Sequence, residues 1–301
     1  LLTSCAAELP SGASEERMDI YGLDNRQEAY QAAEGSVEQY ATQATAAFLK
    51  FSKPLDISKG LRIKRGRSLG EEKSLCEGVR FFDQPTLASC TGFLVGPNIM
   101  VTAGHCVDES SCALTKVVFD FQYQSADDTS LDADTLSFAR PNVYSCTKVL
   151  ARDYLPGSCS TDYAIIQLDR DVEERTPLSI ATTAPERGDS VFSVGHPSGL
   201  PMKVVDDAVV RKLSDKTFRY ELDVFSGNSG APVLDASGHV RGIHICGGQD
   251  DYTNDPAPWN PDHELADGSC QVPVQCDQYC GSLAVAHEIS DIADEIDAAM
   301  Q

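Results

Sequence analysis

The stretch E-L-D-V-F-S-G-N-S-G-A-P-V-L, residues 221–234, sets the reading of the whole chain. Within it Gly227-Asn228-Ser229-Gly230 places one serine between two glycines, followed by a small residue, a proline and an apolar run. Glycine reaches backbone angles that cost other residues dearly. A tight turn of this kind can therefore point one hydroxyl outward and aim backbone N–H groups at a common point. Acyl transfer needs both, a nucleophile and donors placed where negative charge will develop. Glycine–serine turns also occur in plain loops, so the reading depends on what else the chain supplies.

Two further stretches supply it. Val101-Thr102-Ala103-Gly104-His105-Cys106 carries a histidine, and Thr161-Asp162-Tyr163-Ala164-Ile165-Ile166-Gln167-Leu168 carries a carboxylate at the start of an apolar strand. A serine hydroxyl is a weak nucleophile at neutral pH and needs a base. An imidazole titrating near 6.5 serves, and a carboxylate can fix its tautomer and stabilise the imidazolium. T-A-G-H-C, D-Y-A-I-I-Q-L and G-N-S-G-A-P, in that order, resemble the chymotrypsin-like serine proteases over roughly residues 76–301. The resemblance implies an all-β fold of two six-stranded antiparallel barrels with a C-terminal α-helix. It implies a triad of His105, Asp162 and Ser229, and an oxyanion hole built from the N–H groups of Gly227 and Ser229. It also implies a disulfide between Cys90 and Cys106, which would staple His105 beside the first barrel's wall. Asn228 stands where animal digestive proteases have an aspartate that pairs with a newly cut amino terminus. An uncharged side chain cannot make that ion pair, so activation of that kind is not expected. The bacterial glutamyl-endopeptidase branch shares G-N-S-G and matches more closely.

That branch also frames specificity. Gly242-Ile243-His244-Ile245-Cys246-Gly247-Gly248 resembles its G-I-H-W-G-G, whose histidine contacts an acidic substrate side chain. His244 and Gly247 are therefore candidate pocket residues, with a buried structural histidine as the other reading of His244. Val224 replaces a hydroxyl residue that helps bind glutamate there, and Asp223 occupies the place where trypsin-like enzymes hold a carboxylate for Lys or Arg. Cleavage after Glu or Asp, after Lys or Arg, or with another narrow preference all remain open. His196 lies in Gly195-His196-Pro197-Ser198-Gly199-Leu200-Pro201, a turn the branch shares, and is read as structural.

The 301 residues carry 24 basic and 46 acidic side chains, a net charge of −22. Such a surface repels nucleic acid and anionic lipid. Eleven cysteines point to an oxidising compartment and hence to a secreted or cell-envelope protein. Leu2-Thr3-Ser4-Cys5 resembles the end of a bacterial lipobox, with Cys5 as the lipidation site; an ordinary signal-peptide remnant is the alternative. The ten other cysteines suffice for five bridges. Cys146 with Cys159, and Cys76 with Cys112, are candidate pairs. Cys246, Cys270, Cys276 and Cys280 have poor spacing for zinc and are read as bridge-forming. The acids of 249–268 lack EF-hand spacing. No metal or cofactor is required, and a monomer acting on protein or peptide substrates is expected.

Organisation follows from composition. Residues 1–5 are read as a signal-peptide remnant and 6–75 as an N-terminal extension or pro-segment. That extension comprises a polar tether over 6–18, an I-Y-G-L-D-N-R-Q stretch from Ile20 resembling the branch's leading segment, and a helix from about Glu28 to Ala47. The basic run K-G-L-R-I-K-R-G-R, residues 59–67, is either a processing site or a solvated loop. From Cys76 short apolar runs alternate with turn residues. These predict strands at 91–95, 99–102, 116–121, 143–150, 163–168, 190–194, 204–213, 218–222, 232–234 and 240–245. The first barrel is placed at 76–175 and the second at 176–301, with the seam near Asp171–Thr183. Val285, Ile289, Ile292 and Ile296 recur at helical spacing and predict an amphipathic C-terminal helix packed on the second barrel.

The functional expectation is an exported serine endopeptidase that works through an acyl-enzyme. A protease-like binding module without turnover, and a precursor awaiting a cut near Lys64-Arg65, are the alternatives.

Overall fold

A computed structural model describes residues 20–247, 252–253, 270–276 and 283–301. Twelve strands form two barrels. The first is closed by β1 (Thr45–Lys50), β2 (Cys90–Gly96), β3 (Ile99–Thr102), β4 (Thr115–Val118), β5 (Val143–Tyr154) and β6 (Asp162–Leu168), in the order β6-β3-β2-β1-β4-β5. The second contains β7 (Ser190–Gly195), β8 (Lys203–Leu213), β9 (Thr217–Glu221), β10 (Pro232–Asp235), β11 (Val240–Cys246) and β12 (Ala284–Glu288). Their order is β7-β10-β11-β12-β9-β8, and β7 pairs back onto β8. All barrel pairings are antiparallel. Residues between Leu168 and Ser190 cross from one barrel to the other without a regular strand. A shared core fills the seam, with Phe93, Val101 and Ile165 from the first barrel meeting Val194, Ile243 and Ile245 from the second. The fold is chymotrypsin-like.

Three expectations change. The first barrel does not begin at Cys76, because β1 lies inside the supposed extension. The helix expected over 28–47 is confined to α1 (Val37–Ala44), which starts where the Ser36 side chain accepts the Gln39 N–H. At Thr45 the chain becomes extended, and alternate residues enter different cores: Ala46 and Phe48 face the seam, while Ala47 and Leu49 face a second cluster with Val118 and Phe138. Burial on both faces outweighs the helical preference of an alanine-rich run. The C-terminal helix shortens for the same reason. Val285 sits in β12, between Ala284 and Ala286, which face the second barrel's interior. Only α2 (Ala293–Ala299) is α-helical, after a 3₁₀ turn over Ile289–Ile292. Its follower Met300 packs against Gly96 of the first barrel, so this end bridges both barrels.

Part of the basic run is a strand rather than a loop. Leu61–Lys64 is a strand paired with Thr135–Phe138. Arg65 donates to the carbonyls of Leu131 and Asp83.

The cysteines pair as Cys76–Cys270, Cys90–Cys106, Cys112–Cys146 and Cys159–Cys246 among the described residues. Neither Cys146–Cys159 nor Cys76–Cys112 forms. Cys246 and Cys270 belong to separate bridges, which removes the zinc quartet. Cys5, its lipobox, the 6–18 tether, Cys280 and most of 249–281 lie outside the described residues. No described helix is long and apolar enough to cross a membrane.

Candidate active site

His105 follows β3, and Asp162 opens β6, its antiparallel neighbour. Asp162 is 2% exposed and grips His105 twice, accepting the backbone N–H at Oδ1 (2.9 Å) and lying 2.6 Å from Nδ1 through Oδ2. Both the ring and its backbone are thereby fixed. Gly104 makes this approach possible: a Cβ there would stand 2.7 Å from the Asp153 carbonyl oxygen and 3.1 Å from Asp162 Oδ1. Arg152 Nε donates to the Gly104 carbonyl (2.7 Å), and the Tyr154 ring centre lies 5.9 Å from that of His105.

The Cys90–Cys106 bridge holds the histidine turn against β2. One His105 ring nitrogen lies within 4.8 Å of both bridge sulfurs. Those sulfurs are bonded to each other, so this group is not a metal site. Cys106 Sγ is 3.6 Å from the Ser229 carbonyl oxygen, which accepts the Thr91 N–H (2.8 Å). The serine turn and the histidine turn therefore share a wall. No hydrogen bond joins the His105 ring to the Ser229 hydroxyl among the described residues.

The backbone around Ser229 is oriented by its carbonyls. Ser198 N–H donates to Ser226 O (2.6 Å), Thr91 Oγ1 donates to Gly227 O (2.8 Å), and Ala231 N–H donates to Asn228 O (2.8 Å). A planar trans peptide points its N–H opposite its carbonyl. Pinning the Ser226 and Asn228 carbonyls thus turns the Gly227 and Ser229 N–H groups the other way, and neither has a partner among the described residues. Gly227 has φ +97°, and a Cβ there would sit 2.5 Å from the His196 carbonyl oxygen. The 196–199 turn, read from sequence as structural only, is thus what orients the serine loop. Sequence reasoning missed Ser198 and Thr91 because each acts through a contact far along the chain, Ser198 on Ser226 in another loop of the same barrel and Thr91 on Gly227 from the other barrel. The one local signal was the G-H-P-S-G-L-P turn itself.

Of the pocket residues, Val224, His244 and Gly247 come together. A Cβ on Gly247 would meet Val224 Cγ2 at 3.5 Å and His244 Nε2 at 3.9 Å. His244 is buried, and its Nδ1 lies 2.8 Å from the Tyr220 hydroxyl. Burial, helped by the charge of His105, lowers its pKa to about 3, so the ring is neutral. Asp223 does not join this group. Its carboxylate is turned toward the N-terminal segment, accepting N–H groups of Tyr21 (2.8 Å) and Asn25 (3.0 Å). Burial raises its pKa to about 6, against the opposing effect of those two bonds.

A family model for the trypsin-like peptidase domain matches residues 90–243, about half of the chain. The chain belongs to the trypsin-like peptidase family. Glutamyl endopeptidases are distant relatives: the Bacillus licheniformis protein is 23% identical over 156 residues, half of this chain and 47% of its own length. One from Staphylococcus epidermidis is 25% identical over 122 residues, 38% of this chain and 43% of its own. The match thus spans less than half the length of these relatives. Among solved structures, a Glu endopeptidase in complex with MPD superposes with a TM-score of 0.55 at 16% identity, covering 93% of this chain and 99% of that one. Neuropsin from mouse brain gives 0.52 at 15% identity, covering 87% and 96%. These likenesses carry the fold of this trypsin-like peptidase-family chain.

Proposed function

We propose that the protein is an exported serine endopeptidase. His105 takes the Ser229 proton as Oγ attacks the scissile carbonyl, and Asp162 stabilises the imidazolium. The oxyanion is met by the N–H groups of Gly227 and Ser229. The imidazolium gives its proton to the leaving amine. Water, deprotonated in turn by His105, then releases the acyl group from Ser229 and restores the hydroxyl. The observation that carries this reading is the double grip of Asp162 on His105, set against a serine loop whose two N–H groups are held free. Four disulfides support the exported setting, and family membership supports protein or peptide substrates.

For specificity, the name of the relatives and the position of His244 beside Val224 and Gly247 favour an acidic side chain before the cut bond. His244 would meet it as a neutral donor, with Tyr220 holding Nδ1 and Nε2–H facing the pocket. The Lys/Arg reading loses its support, because the Asp223 carboxylate is occupied elsewhere. The missing His105–Ser229 hydrogen bond favours one second reading, a protease-like module without turnover, although such bonds often tighten only when substrate binds. Fluorophosphonate labelling separates the two. Covalent modification of Ser229 that disappears in His105→Ala is expected. A folded, disulfide-bonded chain that takes no label and leaves casein intact would sink the enzyme reading.

A further inference from the structure

Asp223 stands at the base of the serine loop, yet both its oxygens are spent on a segment some two hundred residues away. That segment is tied down at several points. Ile20 and Tyr21 pair with Gln275 and Cys276. Asn25 Nδ2 donates to the Asp206 carbonyl (2.8 Å). Arg26 is 1% exposed and bonds Asp24 through Nε (2.8 Å) and Nη2 (2.6 Å). Its guanidinium lies 4.2 Å from the centre of the Phe225 ring. Arg80 donates to the carbonyls of Asp24 and Arg26. Two residues further on, Glu28 meets the fully buried Lys203 at 2.9 Å. Isolated surface contacts of this number would contribute little, but buried charge-assisted bonds hold geometry.

We infer that Tyr21–Arg26 is a built-in strap of the serine site and that Asp223 is a positioning residue, with no direct role in binding a substrate cation. The strap fixes Asp223 by its carboxylate and Phe225 by its ring. The Phe225 carbonyl accepts the Asn228 N–H (3.0 Å), and the next carbonyl, Ser226, is the one held by Ser198. Order at the strap thus passes within six residues to the N–H groups of Gly227 and Ser229. A trimming event that removed residues 20–26 would loosen those donors. The inference rests on the proposed protease reading only for its effect on turnover; the clamp itself does not depend on it.

Hydrogen exchange on the full chain reads the clamp without any activity. The Tyr21 and Asn25 amides are expected to be protected in the wild type, and Asp223→Ala to speed both by about tenfold or more while Val101 in β3 keeps its rate. Asp223→Asn offers one carbonyl oxygen in place of two, so it should release one amide and keep the other. It decides the matter if the alanine variant does not fold. In kinetics on peptides with Lys, Glu or Ala before the cut bond, Asp223→Ala should lower kcat about tenfold or more for all three alike, leaving their ranking and KM nearly unchanged. Unchanged exchange at both amides, or loss of cleavage after Lys alone, overturns the inference. A wild type that is protected at both amides yet inert would refute the protease reading and leave the clamp standing.

Discussion

At the scale of single residues, the site works through what each group prevents another from doing. Asp162 leaves the His105 ring one orientation, so Asp162→Asn should keep the fold and lower kcat by roughly 10⁴-fold, the size of effect seen where the wrong tautomer is stabilised. An undiminished rate in stopped assays of that variant would show that the carboxylate is only structural. Gly227 has a second constraint. A methyl group there meets the His196 carbonyl at 2.5 Å, at a backbone angle of φ +97°. Gly227→Ala must shift the loop and its N–H, so turnover should fall by about 10²–10³-fold with KM little changed. These residues were legible in the sequence because each sits in a short motif. Ser198 and Thr91 were not, since an orienting bond to a distant carbonyl leaves no mark on the local pattern.

At the scale of elements, burial on two faces is what misled periodicity. β1 and β12 send alternate side chains into different cores, so neither shows the polar alternation of a half-exposed strand. Phe48 in β1 is fully buried, and Phe48→Ala should cost about 3–5 kcal/mol in urea unfolding. A loss under 1 kcal/mol would mean that β1 is not part of the barrel in solution. The basic run 59–67 makes the opposite point, since its charge suggested an accessible cut site and its backbone is paired over 61–64. Lys64 faces Thr135 in the ladder, and Arg65 N–H donates to the Asp134 carbonyl (2.9 Å). A paired backbone must open before it can enter a protease cleft. Brief trypsin treatment of the native chain, followed by mass spectrometry, should leave the 64–65 bond intact; rapid cutting there would revive the precursor reading.

Over the whole molecule, buried imidazoles set the response to acid. Burial lowers the pKa of His196 to about 4 and that of His244 to about 3. The unfolded chain protonates both near 6.5. Their contribution is whole above that pH and is lost as the pH falls from about 6.5 toward 4 and 3. Asp223 acts in the opposite sense. Its pKa is raised to about 6, so the cost of burying it charged is relieved as the pH falls from 6 toward its unfolded value of 3.8. The two histidines together outweigh it, by an amount on the order of a few kcal/mol at about 1.4 kcal/mol per pH unit. The urea midpoint should therefore drop between pH 6.5 and 4, and His196→Asn should flatten that drop. A midpoint constant over this range would show that the rings are solvated.

The sequence by itself determined the family, the barrel strands with half-exposed faces, and the three side chains proposed for catalysis. Each of those is written in a local stretch: a glycine turn, a polar residue opening an apolar run, a repeat of short strands. Tertiary structure decided where the first barrel begins, which cysteines pair, and which way Asp223 points. Those outcomes depend on residues far apart in the chain competing for the same partner, such as Cys270 for Cys76 or the Tyr21 and Asn25 amides for a carboxylate. Local pattern carries no record of that competition, because its energy resides in contacts made only once the chain has folded.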